Sequence, residues 1–551
     1  MPSTRQDFLR DRMLGGIDLT TPPHLLPEDK WRDAANFRVS DGRLVQAPGF
    51  VSVTPAPAQP LVEIVSLPSG RAPMIDASSK KPATCLFVGL HSYNTKVYSV
   101  RPGFTPSLLE LLTTSGTAPP STMSTIPNMW GWTTYAGQLW FLHPNLPLYY
   151  TDGTKIGTYT TDLPQGFILE NFFDHLVTGN CYFRGGWEPY TVRWSDLYRP
   201  DVWTPQAGNE ADFFEVTEWI TSDTQGTGIT TIKKLGDLLV IYTPDAIIGC
   251  RYVGLPKVMN FTPISTRRGT AFPNGVAVTA TAHYFLDEKE MSFFSLSNGG
   301  IEEIGQPVKA LLRTYDASSL FALRASLRSF VVQDRQEVWW CFPGVTGRLY
   351  QMLVYNWSSK SWSRFQFADV DITQTIVGGV RALSVDELAG QCDALSPLPT
   401  DWVDRLSDNN EYIYRLFVSS YYSNLLREAV ATDASVSVIG LAASTSYLET
   451  GDRYFGTLAK VKEMDGVTID AGYVSCDGIQ VGLSVRERLG DAVTFQTVGV
   501  WNKDLKDNFL SFPKRVAGKI FRWRFTMLGS PARDVVWNSF TEHVYGAEAE
   551  R

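Results

Sequence analysis

The sequence predicts an all-β protein: β-propeller-like repeats set between an N-terminal arm and a C-terminal β-sandwich-like region. Three observations predict it. Short apolar runs separated by polar or glycine turns recur roughly every 40–50 residues, the period of four-stranded propeller blades. The chain carries 16 Trp, 23 Tyr and 30 Phe, and flat rings suit a pleated surface. Its 44 Gly and 32 Pro are spread along the whole length, as turn punctuation rather than one linker. A sandwich or a barrel gives similar strand spacing. The period favours blades, each of which needs neighbours to bury its faces.

The elements follow in chain order. Residues 1–53 read as an ordered arm, with turns at Gly15-Gly16 and Pro22-Pro23. Asp41-Gly42 lies between Phe37-Arg38-Val39 and Leu44-Val45, a tight hairpin signal. Residues 54–430 read as the propeller with inserted loops and helices. Residues 54–83, rich in Pro, Ala and Ser, read as connector within it. Six strand units follow, at 85–100, Trp130–Thr154, Phe173–Pro205, from Ile232, 283–300 and 337–362. Two stretches interrupt the rhythm and are expected to be helical, residues 306–327 and Trp402–Ala429. Residues 431–551 read as closing propeller strands plus a small β-sandwich. Within them Lys519–Phe525 alternates strictly, with Lys519, Phe521, Trp523 and Phe525 on one face and Ile520, Arg522 and Arg524 on the other.

At 551 residues and 44% apolar composition the chain can build a large core. A net charge of −8 argues against tight sequence-specific binding of nucleic acid, which needs clustered Lys and Arg. It leaves room for a surface past which DNA slides. The cysteines Cys85, Cys181, Cys250, Cys341, Cys392 and Cys476 are far apart and form no CxxC, so reduced, buried thiols are expected. No membrane segment is expected, because the longest apolar runs, such as Leu238–Tyr242, are strand-length. The opening Met1–Asp7 has no apolar region of the secretory kind, and synthesis in a reducing cytoplasm is expected.

Catalytic signatures are scarce. No phosphate loop, GxSxG elbow or HExxH is present, and the six His are far apart in sequence. Paired carboxylates of the glycosidase kind would have to come from Asp287, Glu288 and Glu290 or from Glu302 and Glu303. Both sets flank turns, where solvated charges are ordinary. Asp369-Val370-Asp371 opens like a calcium loop but lacks the later Gly and Glu. The basic pairs Lys80-Lys81, Lys233-Lys234 and Arg267-Arg268 read as solvated turns. No catalytic, cofactor-binding or metal-binding residue is assigned, no cofactor is expected, and the chain is not read as an enzyme.

Three segments resemble a known family. The first is Gly15-Gly16-Ile17-Asp18, followed by Pro23-His24-Leu25-Leu26-Pro27, Ala35-Asn36-Phe37-Arg38, Asp41-Gly42 and Ala47-Pro48-Gly49-Phe50. The second is Arg193-Trp194-Ser195-Asp196 with Asp201-Val202-Trp203-Thr204-Pro205. The third is Leu235–Val240, then Gly269, Pro273-Asn274-Gly275 and Tyr284-Phe285-Leu286. Their order is similar to that in the tail hub proteins of short-tailed bacteriophages, also called nozzle, tail tubular protein B or phage stabilisation proteins. The resemblance spans most of residues 15–365; residues 366–430 match no pattern of the family. It implies a virion protein, made in the host bacterial cytoplasm and forming a homohexameric ring below the portal and adaptor. Such a ring extends the DNA conduit, passes double-stranded DNA non-specifically, helps retain and release the genome and supports tail fibres or spikes. Residues 205–228, long and rich in Gly, Thr and Asp, are expected to line or narrow that channel. Two other readings stay open: a receptor- or glycan-binding tail propeller, and a polysaccharide-cleaving enzyme.

Overall fold

The computed structural model describes residues 5–52, 130–220, 228–315, 323–367 and 446–546, short gaps within them aside. It also describes separate strands between residues 61 and 111 and between 372 and 430. The chain is all-β, and antiparallel meanders dominate.

Among the described residues, seven meanders form the propeller. Blade 1 lies within residues 61–108, blade 2 within 131–158, blade 3 within 170–215 and blade 4 within 231–265. Blade 5 occupies residues 277–303, blade 6 residues 328–367, and blade 7 takes its first strands from residues 372–430. The first strands of successive blades touch from blade 2 round to blade 7, and that of blade 7 touches that of blade 1. The first strands therefore follow one another around the axis, from blade 2 through blade 7 to blade 1.

The closing strand comes from the other end of the chain. The arm contributes five strands: β1 (Arg5–Asp11), β2 (Asp33–Ala35), β3 (Phe37–Ser40), β4 (Arg43–Gln46) and β5 (Gly49–Ser52). β5 pairs with Leu426–Val430 as the outermost strand of blade 7, which hides an edge that would otherwise be open. β3 and β4 form the two-residue hairpin that Asp41-Gly42 predicts, with Ser40 opposite Arg43 and Gly42 at φ +67°. One side of the hairpin meets the outer strand of blade 6 through Phe37 and Arg364. The other side meets the C-terminal strand Val536–Tyr545 through Leu44 and Trp537. Blade 6 thus runs into the sandwich as one ten-stranded sheet.

The sandwich lies in residues 447–545 and includes β1 and β2. β1 lies antiparallel along the C-terminal strand, and β2 pairs with Tyr447–Glu449 of the facing sheet. Phe521, Trp523 and Phe525 are buried between the sheets, as their alternation predicts. Phe525 packs against Trp537 at 4.8 Å and Phe540 at 5.1 Å. Arg522 is also buried, where it pairs with Glu449 and Asp452.

Several expectations need correction. Tyr412–Ser420 and Leu426–Val430 are strands of blade 7, not helix. Apolar residues occur there on both parities, so the sequence shows no clean period; strand neighbours decide the conformation. Among the described residues of 306–327 the helical pieces are short, chiefly the 3-10 turn Gln306–Val308 and the single helical turn Lys309–Leu312. Leu61–Ser66, within the expected connector, is the first strand of blade 1. The closing propeller strand comes from β5, not from residues beyond 430.

Aromatic packing joins the blades. Phe293 of blade 5 lies 4.3 Å from Trp340 and 4.9 Å from Trp362, both of blade 6. Each such pair is worth about 0.5–1.5 kcal/mol beyond the area it buries. The indole N–H groups are satisfied: Trp340 donates to the Gly275 carbonyl at 3.0 Å and Trp362 to that of Ile304 at 2.8 Å. The Gly15-Gly16-Ile17 segment threads the same junction. Ile17 N–H donates to the Trp362 carbonyl at 2.8 Å. Gly16 sits at φ +72°, and a Cβ there would meet that carbonyl oxygen at 2.5 Å. Only glycine fits both demands.

Charges tie the arm down. Arg10 of β1 donates to Glu542 at 3.0 Å, and Trp523 donates to the other oxygen of Glu542 at 2.6 Å. Glu542 is fully buried. Arg364 of blade 6 donates to Asp33 at 2.7 Å and to the Tyr447 hydroxyl at 2.9 Å, joining propeller, arm and sandwich. Arg38 of β3 reaches the buried Glu337 of blade 6 at 2.9 Å. Removing one partner of a buried pair costs about 3–5 kcal/mol, because the other charge is stranded. Arg10→Met is therefore expected to lower stability by that amount in urea unfolding followed by Trp fluorescence. Adding Glu542→Gln should recover much of the loss; a single variant within error of the parent would contradict the assignment.

Candidate functional surfaces

Of the carboxylates considered for acid–base work, Asp287, Glu288, Glu290 and Glu303 are held by cations or backbone N–H groups. Glu288 accepts a bidentate contact from Arg324, its closest distance 2.8 Å. Glu303 accepts from Lys309 at 2.9 Å and from the Ser292 hydroxyl at 2.6 Å. The Ser292 bond is the main cause that holds its carboxyl below the usual range. Asp287 is buried at the end of its strand and accepts from the N–H groups of Lys289 and Glu290. Burial pushes its carboxyl up, while those two N–H groups and Arg268 pull the other way. Glu302 is exposed on the outer strand of blade 5. Glu302 apart, these groups cap turns or pair with cations. Among the described residues no cluster of His, Cys, Asp and Glu could hold a metal. Asp369-Val370-Asp371 and Lys80-Lys81 lie outside the described residues.

Of the other basic pairs, Arg268 lies 4.2 Å over the Phe294 ring and Arg267 is exposed. Lys233 and Lys234 lie on the first strand of blade 4, around the axis. Across from them, Glu170 of blade 3 has its carboxyl raised by desolvation, with Lys233 opposing. Cys181, Cys250 and Cys341 are buried; burial pushes the first two thiols up to about 12, which makes them inert. The other three cysteines lie outside the described residues.

The Arg193-Trp194-Ser195-Asp196 motif builds the outer loop of blade 3. Arg193 is buried, with its guanidinium 4.4 Å over the Phe183 ring and 2.8 Å from Asp162. Trp194 donates to the Glu210 carbonyl at 2.7 Å. Asp196 accepts from the N–H of Glu210 at 2.8 Å and of Leu197 at 2.9 Å. The described part of residues 205–228 then supplies the outermost strand, Asp212–Glu215, and a 3-10 turn, Thr217–Trp219. That strand lies at the propeller rim, away from its own axis. Residues 221–227 lie outside the described residues.

That loop supports an exposed aromatic surface between blades 3 and 4, which no sequence motif announced. The hairpin between Phe172 and His175 has a two-residue turn, Phe173-Asp174, at φ 45° and 59°. Matching turns elsewhere use glycine second, at Ala136-Gly137 and Arg184-Gly185. A non-glycine residue in this region costs on the order of 1 kcal/mol. The Phe173 ring is 44% exposed and stacks on Tyr252 at 5.4 Å. Tyr198, 67% exposed and also at positive φ, donates its N–H to the Asp174 carbonyl at 3.2 Å.

Beneath these rings, His175 is fully buried, with Nδ1 2.7 Å from the Ser195 carbonyl and Nε2 3.2 Å from Glu210. The Tyr252 hydroxyl donates to Glu210 at 3.1 Å. Burial, then Glu210, pushes that hydroxyl's acidity down. Burial together with Asp174 and Tyr198 does the same to Tyr135 of blade 2.

Comparisons with known proteins add little. No protein-family profile matches the chain, and no curated protein does. Among solved structures, an exported protein of Bacteroides fragilis is 9% identical at a TM-score of 0.28, covering 69% of this chain and 98% of its own. The dihydro-heme d1 dehydrogenase NirN is 10% identical at a TM-score of 0.31, covering 74% of each chain. Likenesses this distant bear on neither activity nor ligand.

One titration links adjacent blades. His283 of blade 5 is buried, its Nε2–H donating to the Lys234 carbonyl at 3.0 Å. Nδ1 then accepts from the Tyr242 hydroxyl of blade 4 at 2.9 Å. Burial lowers this imidazole from 6.5 to about 4. The unfolded chain therefore takes up the proton first as pH falls. The contribution is intact above pH 6.5 and is lost between about 6.5 and 4, amounting to about 3 kcal/mol. His283→Gln should flatten the stability profile in that window by this amount, measured by urea unfolding at stepped pH. An unchanged slope would show that the imidazole titrates normally.

Proposed function

We propose that the chain is a structural ring subunit of a short bacteriophage tail, the hub or nozzle that continues the DNA conduit below portal and adaptor. The observation that carries this reading is the arm. Residues 15–50, which hold the most extended resemblance to the hub family, are the segment that joins propeller to sandwich. Gly16, Asn36 and Gly42 occupy positions that need their particular backbone: all three are at positive φ. A propeller joined in this way to a sandwich gives a stiff subunit with loops on two broad faces, suited to the closing contacts of a ring.

The charge agrees with a conduit role. A net charge of −8 lets a polyanion pass without being held. The candidate carboxylates hold turns and cations, which favours mechanical work over hydrolysis. In this reading fibres, adaptor and neighbouring subunits bind the outer loops.

Native mass spectrometry and negative-stain imaging of the purified chain, alone and mixed with a head-to-tail adaptor protein of the same source, test the proposal. A hexameric ring is expected, formed alone or on the adaptor. A chain that stays monomeric with the adaptor present would overturn it, as would release of reducing sugar from host polysaccharide.

A further inference from the structure

We propose that the Phe173–Tyr198 surface of blades 3 and 4 is a docking site for a basic segment of another protein, with an arginine or lysine side chain over the rings and Asp174 as its counter-ion. This does not depend on the assembly proposed above.

The chain itself shows what such a surface holds. Arg193 lies 4.4 Å over Phe183 and pairs with Asp162 at 2.8 Å. Arg524 lies 4.4 Å over Phe495 and 5.0 Å over Tyr447, and pairs with Glu449 at 2.6 Å. Ring and carboxylate together hold a guanidinium in both places, as ring quadrupole and anion both attract a cation. The Phe173 surface offers the same set: rings at Phe173, Tyr198 and Tyr252, with the exposed Asp174 carboxylate at the turn. Among the described residues, no guanidinium or ammonium lies over these rings or pairs with Asp174.

The surface is also built rather than incidental. Phe173 and Asp174 occupy a turn whose counterparts at Ala136-Gly137 and Arg184-Gly185 place glycine second. The stack on Tyr252 and the hydrogen bond from Tyr198 fix the ring and the loop. Glu210, shared by His175 and Tyr252, fixes the support beneath. An apolar partner would bury the Asp174 carboxylate and the Tyr198 hydroxyl without compensation. A neutral sugar would leave the carboxylate's charge unmatched. A basic side chain satisfies rings and carboxylate together, and the chain's overall acidity would steer it in.

Fluorescence anisotropy of the full chain with a labelled Gly-Arg-Gly-Arg-Gly peptide, at physiological ionic strength, tests this. The lysine and glutamate counterparts of the peptide serve as controls. Phe173→Gly suits the turn's positive φ and should keep the fold. Combined with Asp174→Asn, it should weaken arginine-peptide binding about tenfold or more. Glu487→Gln, an exposed acid on the sandwich, should leave binding unchanged. The proposal is overturned if parent and double variant bind alike, or if the glutamate peptide binds as well as the arginine peptide. It is equally overturned if the double variant abolishes self-association of the chain, or binding to a glycan array, while arginine-peptide binding is unaffected.

Discussion

The backbone pairing of the first fifty or so residues is the constraint on which the rest depends. β1 and β4 hydrogen-bond to the C-terminal strand, β2 to the facing sheet, β3 to blade 6 and β5 to blade 7. Each interaction brings together residues hundreds of positions apart, and each hides a strand edge that would otherwise face water unpaired. The loop-closure entropy of such contacts grows only slowly with separation, so a cooperative set of them can offset it. The buried pairs Arg10–Glu542 and Arg38–Glu337 fix register within this scheme. They specify where the arm lies, since a slipped register would strand a buried charge.

Two consequences follow for the propeller. The last blade is completed only when β5 is in place, so completion of blade 7 and arm docking are one event. Blade 6 is continuous with the sandwich, so displacement of either body bears directly on the other. The chain is therefore suited to transmitting force from one body to the other, which is the mechanical quality the proposed tail role would require. Polar links such as Tyr242–His283 add pH dependence to blade packing without creating a reactive group.

Much of this was legible where local chemistry decides the conformation. Asp41-Gly42 reads as a hairpin because few residues accept its backbone angles. Phe521, Trp523 and Phe525 read as one buried face because a strand's period is two. Blades 2 to 6 follow from runs such as Leu238–Tyr242 set between turns. What depends on distant partners was not legible. Nothing in Gly49–Ser52 says that it pairs with Leu426–Val430. Tyr412, Ile413, Tyr414, Leu416 and Phe417 place apolar groups on both parities, so their sequence fits helix and strand equally. The Phe173 surface was hidden for the opposite reason: Phe-Asp carries no turn signal, and the hairpin is imposed by its flanking strands. Tyr198 and Glu210 come to it through a loop whose shape depends on Arg193, Trp194 and Asp196.

The most direct test is segment-resolved hydrogen exchange on the chain lacking residues 1–53, compared with the full chain. If the arm joins both bodies, protection should fall together in Leu426–Val430, in Ser361–Phe367 and in Val536–Tyr545, or the truncated chain should fail to fold. Blades and sandwich that each keep their full-length protection without the arm would contradict the account.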